Sequence, residues 1–259
     1  MAVIWVIIPA YNEERALPGT LRQLFREPGR YEVIVVDGGS TDRTRSIAES
    51  FGFDMCEPGS RRSSLVSRRS VDASRDTRHA SRLFLTAPKG RASQMNTGAR
   101  EAAARGAALD DWLLFLHADT TLPEGALSRL NGLETAIQAG GFLHRFAGSD
   151  WRLGLISLLD NVRCRRSRII YGDQALFVRR GVFEQIGGFP DQPILEDVAF
   201  CDKLVRVTRP VLLEPPVVTD SRKFVQMGIW RSFARVLLII LHVQFRLPVL
   251  PRTFFRDVR

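Results

Sequence analysis

A histidine and an aspartate, two residues apart, close one of the most apolar runs in the chain: Trp112-Leu113-Leu114-Phe115-Leu116 leads into His117-Ala118-Asp119-Thr120. A carboxylate offers hard oxygen ligands to Mg²⁺ or Mn²⁺, and an imidazole can join it. Asp119 could equally cap a helix starting near Pro123, so the pair alone does not decide. Chemistry-bearing residues recur at the ends of other apolar runs. Ile7-Ile8 leads into Pro9-Ala10-Tyr11-Asn12-Glu13, and Val35-Val36 into Asp37-Gly38-Gly39-Ser40-Thr41-Asp42. Leu83 to Thr86 leads into Ala87-Pro88-Lys89-Gly90-Arg91, where two cations enter a helix whose free N–H groups favour anions. Further on, Tyr171-Gly172-Asp173-Gln174 precedes an apolar run, and Glu196-Asp197 places adjacent carboxylates at a helix start.

The elements that must position these groups follow a strand, polar turn, helix rhythm, the pattern of a parallel sheet covered by helices. Strands are expected at Val3–Ile8, with Pro9 ending the first, and at Tyr31–Val36, Phe53–Cys56, Leu83–Thr86 and from Trp112 onward. Later strands are expected at Gly141–Phe146, Ala175–Val178 and Val211–Leu213. Helices are expected near Leu17–Phe25, Ala92–Arg105, Glu124–Ala139 with Gly140 and Gly141 closing it, Trp151–Arg168 and Gly181–Ile186. Asp37 ends a buried run beside two glycines that permit close backbone approach to a ligand. Polar groups at the carboxyl ends of parallel strands lie where open α/β sheets bind ligands.

The whole chain, 259 residues, accommodates one large α/β domain with appendages; 45% hydrophobic and 25% charged residues are ordinary for a globular protein. The net charge of +9 points to an anionic partner. Nucleic acid is disfavoured, because no recognition motif is present. Cys56, Cys164 and Cys201 are odd in number and in no metal-binding spacing, which fits free thiols and a cytoplasmic location. Met1 to Pro9 lacks a basic leader region and reads as a core strand rather than a signal peptide. Residues 57–82 are rich in Ser and Arg and read as a flexible surface insertion. A basic amphipathic helix is expected from Lys223 to Arg246, within a tail of residues 223–259. Arg235, His242, Gln244, Arg246 and Pro248 interrupt it, so it packs on the domain or lies at the inner face of a membrane rather than spanning one.

Taken together, the motifs at residues 7–13, 35–42, 89–98, 116–119 and 195–197 resemble the family 2 glycosyltransferases. Gly38-Gly39, the run from Lys89 to Asn96 and the His-Ala-Asp form look most similar to the radical-SAM/selenodomain-associated subgroup. The resemblance implies a Rossmann-like A-type glycosyltransferase fold over residues 1–222 and an inverting transfer from a nucleotide sugar, UDP-sugar favoured. The acceptor would be a small molecule or lipid-linked. By the same resemblance Pro9, Ala10, Tyr11, Glu13, Asp37, Gly39, Lys89, Arg91 and Ala118 bind the nucleotide, with the Asp37 carboxylate accepting the imide N–H of uracil. Asp119 and His117 hold a divalent ion; His117 replaces the family's usual first carboxylate, which tilts the choice from Mg²⁺ toward Mn²⁺. Asp197 is the general base with Glu196 beside it, Asp173 and Gln174 line the acceptor side, and Ser221-Arg222-Lys223 can reach the diphosphate. The processive enzymes' Gln-x-x-Arg-Trp motif is absent, which argues against polymer synthesis. Two other readings stay open: a nucleotidyltransferase of similar architecture, disfavoured because Ala10–Glu13 lacks its Gly-rich basic loop, and a non-catalytic nucleotide-sugar-binding protein.

Overall fold

A computed structural model describes residues 2–56, 81–192 and 194–244. Strands β1 (Ile4–Ala10) and β2 (Tyr31–Asp37) are apolar runs buried on both faces, as a sheet sandwiched by helices requires. They pair in parallel, with Ala10 opposite Asp37. Strands β3 (Asp54–Cys56), β4 (Arg82–Thr86) and β5 (Trp112–Phe115) continue the parallel pairing. With β6 (Thr120–Thr121), β7 (Ala139–Phe146), β8 (Phe177–Arg179) and β9 (Val211–Thr219) they form, among the described residues, one nine-stranded sheet in the order β3-β4-β2-β1-β5-β8-β7-β9-β6. Antiparallel pairing is confined to β5 with β8, β7 with β8, and β6 with β9, so the sheet is mostly parallel.

Helices cover both faces: α1 (Leu17–Leu24), α2 (Thr44–Ser50), α3 (Arg91–Ala104), α4 (Ala126–Asn131), α5 (Trp151–Ser167), α6 (Arg180–Ile186), α7 (Glu196–Val207), α8 (Arg222–Gln226) and α9 (Ile229–Gln244). Side chains of a strand alternate between faces. Trp5 and Ile7 accordingly join the core built with α3, α6 and α7, while Ile4, Val6 and Ile8 join the one built with α1 and α4. Helix α3 lies so close to β1 that a Cβ at Gly98 would meet Ile7 Cγ2 at 2.5 Å.

Several element boundaries differ from expectation for identifiable reasons. Strand β1 runs through Pro9 instead of stopping there. In a parallel strand alternate residues face alternate neighbours, so Pro9 turns its missing N–H toward β5, whose pairing has already ended at Ile7–Phe115. Helix α4 ends at Asn131, and Gly140 and Gly141 belong to β7 rather than to a helix end. A Cβ on Gly140 would sit 2.5 Å from the Val211 carbonyl oxygen, and one on Gly141 would sit 2.6 Å from Ile170 Cγ2, so close packing selects both glycines. Strand β9 extends far past Leu213, because β7 on one side and β6 on the other supply its ladder partners. The C-terminal helix is divided into α8 and α9 by Gly228, held at φ 88°. Arg82, placed in the Ser/Arg-rich insertion, opens β4 and donates from Nη1 to the Phe51 carbonyl at 2.6 Å. The rest of that insertion, residues 57–80, and the tail beyond 244 lie outside the described residues.

Candidate active site

The carboxyl ends of β1, β2, β4 and β5 deliver the expected residues to one edge of the sheet. Beyond Ala10 the chain turns at Asn12, which takes the left-handed backbone conformation (φ 56°) that Asn tolerates well. This turn is tied to the loop after β2. Asn12 N–H donates to Ser40 Oγ at 2.8 Å, Thr41 N–H donates to Asn12 Oδ1 at 2.9 Å, and Glu13 N–H donates to Thr44 Oγ1 at 2.9 Å. Asp37 is buried and closes its own turn: its carboxylate accepts the Gly39 N–H at 3.0 Å, the Ser40 N–H at 2.9 Å and the Ser40 hydroxyl. Gly39 sits at φ 85°, where a side chain would strain the turn. The Lys89 ammonium lies 4.0 Å from the centroid of the Tyr11 ring, joining the β1 and β4 loops by a cation–π contact.

A second group gathers around Arg91, the first residue of α3. Its Nε lies 3.1 Å from Glu196 Oε1; the arginine side chain is 46% exposed and the glutamate 3%. Burial pulls the guanidinium pKa down, yet Glu196, Asp197, Asp173 and Asp119 together hold it above its ordinary value. Those four carboxylates come from the loop between β5 and β6, from α7 and from a 3₁₀ turn at Gly172–Gln174. Asp197 is buried, with Oδ2 accepting the Gly172 N–H at 2.6 Å and Oδ1 accepting the Val198 N–H at 2.8 Å. His117 packs against the same turn: a Cβ on Gly172 would meet His117 Nε2 at 2.5 Å and Asp197 Oδ2 at 3.3 Å. Ala118 is buried, and its carbonyl accepts the Thr20 hydroxyl at 2.6 Å.

Asp173 has a distinct environment. Burial raises its carboxyl to about 6; His144 opposes the rise, and Asp160, Asp197 and Asp119 add to it. His144 Nε2 stands 3.6 Å from Asp173 Oδ2. Gln174, expected on the acceptor side, is fully buried: its Oε1 accepts the Tyr171 N–H at 2.9 Å and its Nε2 donates to the Phe142 carbonyl at 3.3 Å. Both ends of its amide are thus spent holding the Asp173 turn against β7.

Asp119 also borders a cleft of about 300 Å³ with Glu13, Asp42, Asp220 and Arg222. The Asp220 N–H donates to the Asp119 carbonyl at 3.0 Å, and Asp220 pairs with Arg222. Burial pushes the Asp42 carboxyl up, but bonds from the Thr44 hydroxyl and from the N–H groups of Thr44 and Glu14 hold it below its ordinary value. Among the described residues, no three His, Cys, Asp or Glu side chains are grouped to hold an ion. Asp119 and His117, expected to hold an ion, are not part of such a group among the described residues.

Three contributors lay outside the sequence expectations. Gln94 donates from Nε2 to the Ala10 and Val36 carbonyls at 2.7 and 2.8 Å, fastening α3 to β1 and β2. A polar residue on the buried face of α3 was the available signal. His144 and Asp220 carried none beyond their residue types.

Residues 5–58 match the family model described as Glycosyl transferase family 2. A PGL/p-HBAD biosynthesis glycosyltransferase of Mycobacterium bovis is 28% identical over 197 residues, 71% of this chain; the match spans 62% of that relative's length. Among solved structures, the mannosyltransferase PcManGT from Pyrobaculum calidifontis in complex with GDP-Man and Mn²⁺ superposes with a TM-score of 0.60 at 20% identity, over 98% of this chain and 67% of that one. S. aureus TarS 1–349 in complex with UDP gives a TM-score of 0.57 at 17% identity, over 85% and 60%. The chain therefore has the A-type glycosyltransferase fold.

Proposed function

We propose that this chain is a family 2 glycosyltransferase that moves a sugar from a nucleotide-sugar donor, UDP-sugar favoured, to an acceptor hydroxyl with inversion. The observation that carries this reading is the contact of Arg91 with Glu196 at 3.1 Å, next to Asp197, whose carboxylate accepts the Gly172 N–H of the turn that bears Asp173. The motif forms at 38–39, 89–96 and 117–119 favour the radical-SAM/selenodomain-associated subgroup. In this reading Pro9, Ala10, Tyr11 and Glu13 flank the nucleoside, the remaining lone pair of the Asp37 carboxylate takes the base N–H, and Lys89 and Arg91 face the diphosphate. A divalent ion held by Asp119, with His117 beside it, would add positive charge where the diphosphate departs.

Transfer is an in-line displacement. The acceptor oxygen attacks the anomeric carbon, the bond from that carbon to the diphosphate breaks, and the diphosphate leaves with the electron pair. The hydroxyl proton passes to a carboxylate, assigned to Asp197; each of its oxygens retains a lone pair beyond the backbone bond it accepts. Buried Glu196 neutralises and orients Arg91. Asp173 lines the acceptor side, and Gln174 supports it from behind.

Product analysis tests the reading. Release of free nucleoside diphosphate from a nucleotide sugar supports it, and release of pyrophosphate identifies a nucleotidyltransferase. Tight donor binding with no product under any metal identifies a non-catalytic binding protein.

A further inference from the structure

Helix α5 has two apolar faces. Leu153, Ile156 and Cys164 are buried in the protein. Trp151, Leu155, Leu158, Leu159 and Val162, at i, i+4, i+7, i+8 and i+11, share the opposite side and are exposed, Trp151 at 70% and Leu158 at 59%. Helix α9 extends this surface: Ile229 packs with Leu153 and Ile156, and the exposed Trp230 ring lies 6.3 Å from the Trp151 ring, centroid to centroid. A continuous apolar strip of this kind on a protein surface marks an interaction site.

The surrounding charge selects the partner. Helices α5 and α9 together contain six arginines (152, 163, 165, 166, 231 and 235) and one carboxylate, Asp160. Asp160 is taken up by Arg163 at 2.9 Å, and Arg152 and Arg165 pair with Asp150 and Glu214 outside these helices, each at 2.7 Å. Arg166 and Arg231 are exposed. Trp and Leu at the centre with Arg at the margins is the composition of a helix face lying in a lipid headgroup layer. No described helix is long and apolar enough to cross a membrane.

We propose that the outer face of α5, with the start of α9, docks on an anionic phospholipid surface. The inner face of α5 also supports the acceptor-side turn: Asn161 bonds both the N–H and the carbonyl of His144, and Arg163 lies 3.6 Å from the Tyr171 ring centroid. Docking thereby brings that turn near the lipid, whatever reaction the site performs.

The test is co-sedimentation of the full chain with vesicles of phosphatidylcholine alone or mixed with phosphatidylglycerol. The expected result is binding to the mixed vesicles that weakens with salt, and a fall of about tenfold or more in affinity for Leu158→Ser/Leu159→Ser with circular dichroism unchanged. Arg166→Glu/Arg231→Glu should lose the preference for anionic lipid. Equal binding by all variants overturns the proposal, as does no binding to either vesicle. A wild-type dimer that Leu158→Ser/Leu159→Ser converts to a monomer, without vesicle binding, assigns the face to a second copy instead. Nucleotide-sugar turnover in detergent-free buffer is read in parallel and is expected to be unchanged in both variants.

Discussion

Arg91 Nε lies 3.1 Å from Glu196 Oε1, joining the first residue of α3 to the first residue of α7. Through this contact the loop after β4 meets the helix carrying Asp197, so the sides proposed for nucleotide and acceptor share one ion pair. Glu196 is 3% exposed, and removing Arg91 leaves its charge buried without that cation. Arg91→Ala should lower stability by about 1–3 kcal/mol, and adding Glu196→Gln should recover part of that loss. Denaturant unfolding of the single and double variants reads the coupling; strictly additive losses would show that the pair is not a unit.

Asp197→Asn keeps an acceptor for one backbone N–H and removes the carboxylate proposed as the base. Turnover should fall by about 10²–10⁴-fold while nucleotide affinity stays within a few-fold. Steady-state kinetics alongside a nucleotide titration separates the two. Loss of affinity equal to the loss of turnover would assign Asp197 to folding of the site instead.

Asp173 predicts a pH signature. Its folded carboxyl, near 6, lies above its ordinary value of 3.8, so the fold disfavours ionising it. Its protonated form is fully accommodated below about pH 4, and stability contributed in that state is lost as pH rises through about 6. Asp173→Asn should flatten this fall, which thermal unfolding between pH 4 and 7 measures. An unchanged slope would contradict the burial argument.

Gly140→Ala must place a methyl group 2.5 Å from the Val211 carbonyl oxygen, a backbone atom of the neighbouring strand that has little room to yield. Overpacking of this kind costs about 1–3 kcal/mol. A shift in urea midpoint reads it, and a variant as stable as the parent would show that β7 and β9 separate easily.

The parallel half of the sheet, with Asp37 and Asp119 placed where its strands run out, was legible because continuous apolar runs ended in polar turns, and a strand buried on both faces leaves that mark. The far half was less legible. Gly140-Gly141 reads as a helix end in one dimension, and only the nearness of β9 shows why glycine is needed there. The expected strand at Val211–Leu213 stopped short of Glu214-Pro215-Pro216, although partners on both sides carry the β9 ladder on to Thr219. Gln174 looked like a ligand residue by its neighbours, whereas its amide is consumed by backbone groups of Tyr171 and Phe142. The pairing of His144 with Asp173 joins positions remote in sequence, and no local pattern announces it.

The central claim is that one edge of the sheet holds a nucleoside diphosphate sugar. Thermal shift of the full chain against UDP, GDP, CDP and their sugars, each with and without Mn²⁺, tests it most directly. The account predicts selective stabilisation by one nucleotide class, approaching about 2.7 kcal/mol at a hundredfold excess over Kd, and weakened in Asp37→Ala and Asp119→Ala. A chain that no nucleotide stabilises under any metal, or that all stabilise equally in wild type and both variants, would contradict it.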